Sequence, residues 1–213
     1  MYRQRVNKLL ALEKLRTKVA RDLHDDMGST LSTINILSSM AKTRLNSNPV
    51  QASEYISKIS DNSQRMMEAM DDIVWSIKPD NDTIQKITGR MREFATSVLE
   101  AKDIDLDFKV DENVKDVKLD MEARRDFFLI FKEAINNIAK YARSGQVHVY
   151  VACHQQRLIL SIKDDGVGFD VQAADSGNGL GNMQKRAENL KARLQVQSKP
   201  GEGTKITLNL PVS

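Results

Sequence analysis

The 213 residues include a single cysteine, four prolines and no apolar run approaching 18 residues. One thiol excludes an internal disulfide, and Cys153 falls in an alternating apolar run where a buried free thiol and a reducing compartment are the natural reading. Without a long apolar run no transmembrane helix is expected, and MYRQRVNKLLALEKLR has no apolar signal core followed by a cleavage site. We therefore expect no direct membrane contact by these residues and a cytoplasmic setting. An excess of one charge is also missing: 12 basic and 10 acidic groups precede residue 81, and 20 and 19 follow, for a net charge of +3. With no basic block and no aromatic-basic stripe, a nucleic-acid partner is not expected. What is present, 40 % hydrophobic and 29 % charged residues, suits a folded chain of one medium domain or two small ones. The helical pattern begins at the first residue with no cap ahead of it, which predicts a longer parent cut inside a helix.

Between Val6 and about Leu45 only Gly28 interrupts, and apolar residues recur in steps of three and four through Leu12, Leu15, Val19, Leu23, Met27, Leu31, Ile34, Leu37 and Ala41. That period predicts one long amphipathic helix. NSNP at 46–49 breaks it, and a second stripe runs from Tyr55 to Ile77 before Pro79. Two such helices have one face each to bury, so pairing two hairpins into a four-helix bundle predicts a homodimer. A third helix follows over Ile84 to Leu99, and alternation at Ile104, Leu106, Phe108 and Val110 predicts a strand. Helix returns from Met121 to Ala142. Strands are predicted over Val147–Cys153, Leu158–Ile162, Leu194–Gln197 and Ile206–Leu210, with a helix opened by GNMQKRAENL. The expected fold is α+β: a hairpin domain over 1–80 and a helix-and-sheet sandwich over 81–213.

Three segments carry chemistry. In RDLHDDMGSTLS, His24 lies one step past Leu23 of the apolar stripe, at the edge of the bundle face where its imidazole reaches solvent. Asp25 beside it can take a proton from one ring nitrogen and leave the other free to attack phosphorus. Alone, a His-Asp dipeptide is more often an ordinary surface histidine near an acidic pair. In FKEAINNIAKYA, Glu133, Asn137 and Lys140 share one helix face. Asn137 offers a neutral oxygen to Mg²⁺, Glu133 can hold a water beside it, and Lys140 is a point charge for phosphate. In DDGVGF, Asp164 ends a strand where it can accept a hydrogen bond from a base amino group, and Gly166 and Gly168 let the backbone approach a flat ligand. GNGLG then precedes a helix whose N-terminal amides favour polyphosphate. It is neither a Walker A loop nor a dinucleotide fingerprint.

Together these segments resemble the kinase core of two-component sensor histidine kinases of the class with a His-Asp phosphoacceptor motif. EKLRTKVARDLHDDMGSTLS resembles the phosphoacceptor block, EAINNIAKYA the N box, DDGVGFD and GNGLGNMQKRAENL the two glycine boxes, and PGEGTKITLNLP the closing box. The resemblance implies an ATP-binding domain of the gyrase, heat-shock chaperone and histidine kinase superfamily. It implies autophosphorylation on His24 with ATP and Mg²⁺, then transfer to an aspartate in the receiver domain of a response regulator. Asp164 is implied as the adenine-recognising acid, Asn137 as the Mg²⁺ ligand, Gly177, Gly179 and Gly181 as the ATP-lid hinge, and Thr204 as a residue near the base. It also implies that the longer parent is a sensor, with or without a membrane anchor. Tyr141 stands where the family often has histidine. Ser29 stands where many relatives have a glutamine tied to dephosphorylation of the regulator, so weak phosphatase activity is expected. Two alternatives are weighed: an ATPase of the same superfamily, which would not need the His24–Asp25 pair, and a non-catalytic dimerisation module, against which the intact Glu133, Asn137, Asp164 and glycine series argue.

Overall fold

The computed structural model describes residues 28–78, 81–171 and 178–212; His24, Asp25 and Gly177 lie outside them. The chain divides into two compact units, one up to Trp75 and one from Ser76 onward.

The first unit is a helical hairpin. Helix α1, described over 28–44, leads through a turn at 45–47 into α2, Pro49–Ile77. The break is encoded in NSNP. Asn48 Oδ1 accepts the Gln51 N–H at 3.2 Å as an N-cap, and Pro49 takes the first helical position, where its missing N–H costs nothing. Along α1, Ile34 and Leu37 are half-buried and Ala41 is buried, whereas Leu31, Ile36 and Met40 are exposed. In α2, Tyr55, Ile59 and Met66 are half-buried, while Ile56, Met67, Met70 and Val74 stay exposed. Spacings of eleven, three and four set this exposed group along one helix face.

In the second unit, α3 spans Ile84–Glu100, α4 Met121–Asn137 and α5 Asn178–Asn189. The strands are β1, Asp105–Val110; β2, Gln146–His154; β3, Arg157–Asp164; β4, Arg193–Ser198; and β5, Thr204–Pro211. Among the described residues they form one sheet in the order β1-β2-β3-β5-β4, with β1 parallel to β2 and the other pairs antiparallel. α4 lies in the crossover between the two parallel strands, as that connection requires. Alternation does the rest. Val147, Val149 and Val151, Leu158, Leu160 and Ile162, and Ile206, Leu208 and Leu210 are buried on one face, whereas His148, Tyr150, Lys163 and Lys205 are exposed on the other. The helices cover the apolar face: Phe131 of α4 meets Phe108 of β1 edge-on at 6.2 Å, and α3 buries Ile84, Ile87, Met91 and Leu99.

Candidate functional site

The C-terminal part of α4 and the segment after β3 build one wall of a cavity of about 570 Å³, a size ordinary for a small-molecule site. Asp120 starts α4 by accepting the Ala123 N–H at 2.8 Å, an N-cap. The helix brings Glu133 and Asn137 to the cavity and then widens into a π-helical turn over Ile138–Ala142. Such turns are rare and concentrate at functional sites. Lys140 and Tyr141 of this turn line the cavity from exposed positions. Arg143 ends it in the left-handed region, φ 50°.

The freed Ala142 carbonyl accepts the Val167 N–H at 2.8 Å. It also lies so close to Gly166 that a Cβ there would sit 2.2 Å from the oxygen. Gly168, φ +58°, is pressed as tightly against the Lys199 carbonyl. The segment after β3 is sewn to the β4–β5 hairpin as well: Gly201 N–H donates to Val167 O at 2.7 Å, and Phe169 N–H to Ser198 Oγ at 2.9 Å. Ser198 has one hydroxyl hydrogen, and Gly203 O at 3.0 Å, purely an acceptor, takes it. Thr204 is then the donor in its 3.0 Å contact with Ser198.

Adjacent aspartates part company at the end of β3. Asp164 is 1 % exposed. Its Oδ1 accepts the Gly166 N–H at 2.9 Å, while its buried Oδ2 has no hydrogen-bond partner. Burial pushes this carboxyl above the ordinary aspartate value of 3.8, against the backbone amides of Gly166 and Thr204 that oppose the shift. Asp165 is exposed, and its Oδ1 accepts the N–H groups of Gly145 and Gln146 at 2.9 Å each. Those bonds hold its pKa low and fasten the start of β2. A buried acceptor without a donor is costly unless a ligand supplies one, and Asp164 faces the cavity.

α5 contributes Gly179 and Leu180 to the cavity wall. Gly179 lies against α4, where a Cβ would fall 2.3 Å from Glu133 Oε1 and 3.5 Å from Asn137 Nδ2. The cavity thus brings together Glu133, Asn137, Lys140, Asp164, Gly168, Gly179 and Thr204. Gly166 shapes its wall from behind, and Gly181 has no neighbour that a Cβ would meet within 4 Å. Sequence reading did not single out the apolar lining, Ile138, Ile162, Val196 and Ile206. A signal was there, since Asp164 and Thr204 continue by two the alternation of Ile162 and Ile206, which puts them on the core-facing side. Ser198, the hub beside Thr204, left no motif.

Residues 122–213 match the family described as histidine kinase-, DNA gyrase B-, and HSP90-like ATPase, and residues 16–82 match the family described as histidine kinase. A helical region that matches the histidine kinase family is thus followed by a domain that matches the ATPase family. That is the domain pair of the known sensor histidine kinases, and this chain carries it. It is 28 % identical over 217 residues to an uncharacterized sensor-like histidine kinase of Chloroflexus aurantiacus, covering 94 % of this chain and 35 % of the relative. It is also 28 % identical over 207 residues to the signal transduction histidine-protein kinase/phosphatase UhpB of Salmonella typhimurium, covering 93 % and 39 %. The chain thus spans well under half the length of these curated relatives. In fold it is similar to the histidine kinase AdeS of Acinetobacter baumannii, with a TM-score of 0.61, 16 % identity, and 85 % of this chain and 95 % of that one covered. It is likewise similar to the blue-light activated histidine kinase EL346 of Erythrobacter litoralis, with a TM-score of 0.58, 19 % identity, and 92 % and 60 % covered. Among the described residues no helix is long and apolar enough to cross a membrane.

Proposed function

We propose that this chain is the catalytic core of a sensor histidine kinase, with residues 1–80 as dimerisation and phosphoacceptor domain and 81–213 as ATP-binding domain. It phosphorylates His24 and passes the group to an aspartate of a response-regulator receiver domain. The observation that carries the reading is the buried, partnerless Oδ2 of Asp164 facing the cavity. An adenine amino group is a donor of the right kind for it, between apolar walls that suit a flat base. The triphosphate then runs toward Asn137, Lys140 and the N-terminal end of α5, where free amides and a lysine offset its charge. Among the described residues no group of three or more His, Cys, Asp or Glu is placed to hold a metal. Mg²⁺ would accordingly be held by Asn137 together with phosphate oxygens, with Glu133 on a bound water, and would supply charge neutralisation at the phosphates.

In the reaction itself, one His24 ring nitrogen forms a bond to the γ-phosphorus as the bond to the bridging oxygen of ADP breaks. Asp25 takes the proton from the other ring nitrogen. Such transfer is mostly positioning and charge stabilisation, so the phosphate end of the cavity matters more than any single base. A homodimer completes the core. Its support is the exposed apolar group Ile56, Met67, Met70 and Val74 on α2, an apolar stripe of the kind helix pairing buries.

The test is incubation with γ-labelled ATP and Mg²⁺. Label on the chain that is acid-labile and base-stable, and absent from His24→Gln, is the expected result. ADP release without protein label would identify the ATPase alternative, and no turnover with ATP still bound would identify the non-catalytic one.

A further inference from the structure

α4 and α5 run antiparallel, and their contact is pinned at two points. One is Gly179 against Glu133. The other lies two turns away, where Arg186 Nη1 donates to Asp126 Oδ1 at 2.8 Å. Seven residues separate the pinned positions in each helix, 126 to 133 in α4 and 179 to 186 in α5, so both points lie on one line of contact. Asp126 is buried and Arg186 keeps about a third of its side-chain surface exposed. Neither lines the cavity, and nothing in the proposed reaction uses them.

The apolar part of the α5 contact is small: Met183 and Ala187 are buried, while most of the helix is exposed or half-buried. Two apolar side chains specify a helix register less sharply than a directional ion pair does. Register matters here because a slip of one residue moves α5 by about 1.5 Å. It would also bring a side chain to the place where Gly179 meets Glu133, whose carboxylate would then be displaced. We propose that Asp126 and Arg186 are positioning residues: their ion pair fixes the register of α5 on α4 and so holds the N-terminal end of α5 beside Asn137 at the phosphate end of the cavity. This rests on the ATP reading of that cavity.

The consequence is selective. The Asp164 end of the cavity belongs to β3 and β5 and does not depend on α5, so losing the ion pair should weaken recognition of phosphates and leave recognition of the nucleoside. The measurement compares ATP with adenosine on the whole chain, by NMR titration or calorimetry, well below the unfolding temperature. Arg186→Ala is expected to bind ATP about tenfold more weakly, a modest loss for a misplaced phosphate cradle, with adenosine affinity within twofold. Asp126→Asn, which keeps shape and one acceptor, serves as the second variant and is expected to shift in the same direction by two- to fivefold. Arg186→Lys, which restores a single charged donor, should recover most of the loss. Unchanged ATP affinity in both breaking variants, or ATP and adenosine affinities falling together, overturns the proposal. If instead the unaltered chain shows no preference for ATP over adenosine, or Asp164→Asn binds both as well as the parent, the ATP reading itself fails.

Discussion

Asp164 and Asp165 are chemically identical neighbours with opposite environments, and substitution should separate them. Asp164→Asn replaces an acceptor by an amide, so we expect nucleotide affinity to drop about tenfold or more, the effect of losing a charge-assisted bond in a buried site. Asp165→Ala removes the acceptor for two strand-starting amides. It should lower the melting temperature by roughly 3–6 °C with affinity nearly intact. The pH response distinguishes them too. Since burial raises the Asp164 pKa above 3.8, the folded state holds this proton more tightly than the unfolded one. Through this group stability falls as pH rises between the ordinary value and the raised one. Nucleotide affinity moves the other way, because the ionised carboxylate is the better acceptor, and should decline on acidification through the raised pKa. Calorimetric titration of parent and Asp164→Asn across pH 4–8 checks this; a parent curve as flat as the variant's would contradict the role.

At the scale of elements, the glycines differ in what crowds them. Gly166 faces the backbone of Ala142, which cannot move without disturbing the π-helical turn and the bond it accepts from Val167. Gly179 faces the far end of a flexible glutamate, and Gly181 faces nothing within 4 Å. Gly166→Ala is therefore expected to destabilise by about 2 kcal/mol or more, as overpacking against fixed backbone does. Gly181→Ala should be neutral or stabilising by up to about 1 kcal/mol through helix propensity. Gly179→Ala should fold, with Glu133 displaced and the phosphate end altered. Urea denaturation of the three variants decides it, and equal destabilisation by all three would refute the steric ranking. Motif reading placed Gly166 in one glycine box and Gly179 and Gly181 together in another; the packing separates all three, because what a missing Cβ leaves room for depends on segments far off in sequence.

For the whole molecule, the exposed group on α2 carries the assembly prediction. Met67→Lys with Met70→Lys puts charge where a partner helix would bury apolar surface, and each lost burial is worth roughly 1.5–3 kcal/mol. Self-association is expected to weaken at least tenfold, about 1.4 kcal/mol, with nucleotide affinity of the second unit retained. Sedimentation velocity across a dilution series reads the outcome, and an unchanged assembly state would place the interface elsewhere.

Periodicity alone determined most of the elements. The three-and-four spacing of α3 and α4, the alternation of β2, β3 and β5, and the Asn48–Pro49 helix start are local properties that sequence states directly. Motif order along the chain, which survives without coordinates, likewise singled out Glu133, Asn137 and Asp164, and these three line one cavity. Only the tertiary structure decided the rest. Sheet order, the π-helical turn at Ile138–Ala142, the apolar walls from Val196 and Ile206, the hub at Ser198 and the Asp126–Arg186 pin all depend on which segments the fold brings together. Which distant segments meet is set by burial of shared faces and closing of hydrogen bonds, and no local period encodes that choice. Asp164 shows the boundary between the two: alternation put it on the core side of β3, but only the packed fold left its Oδ2 buried, facing a cavity and without a donor.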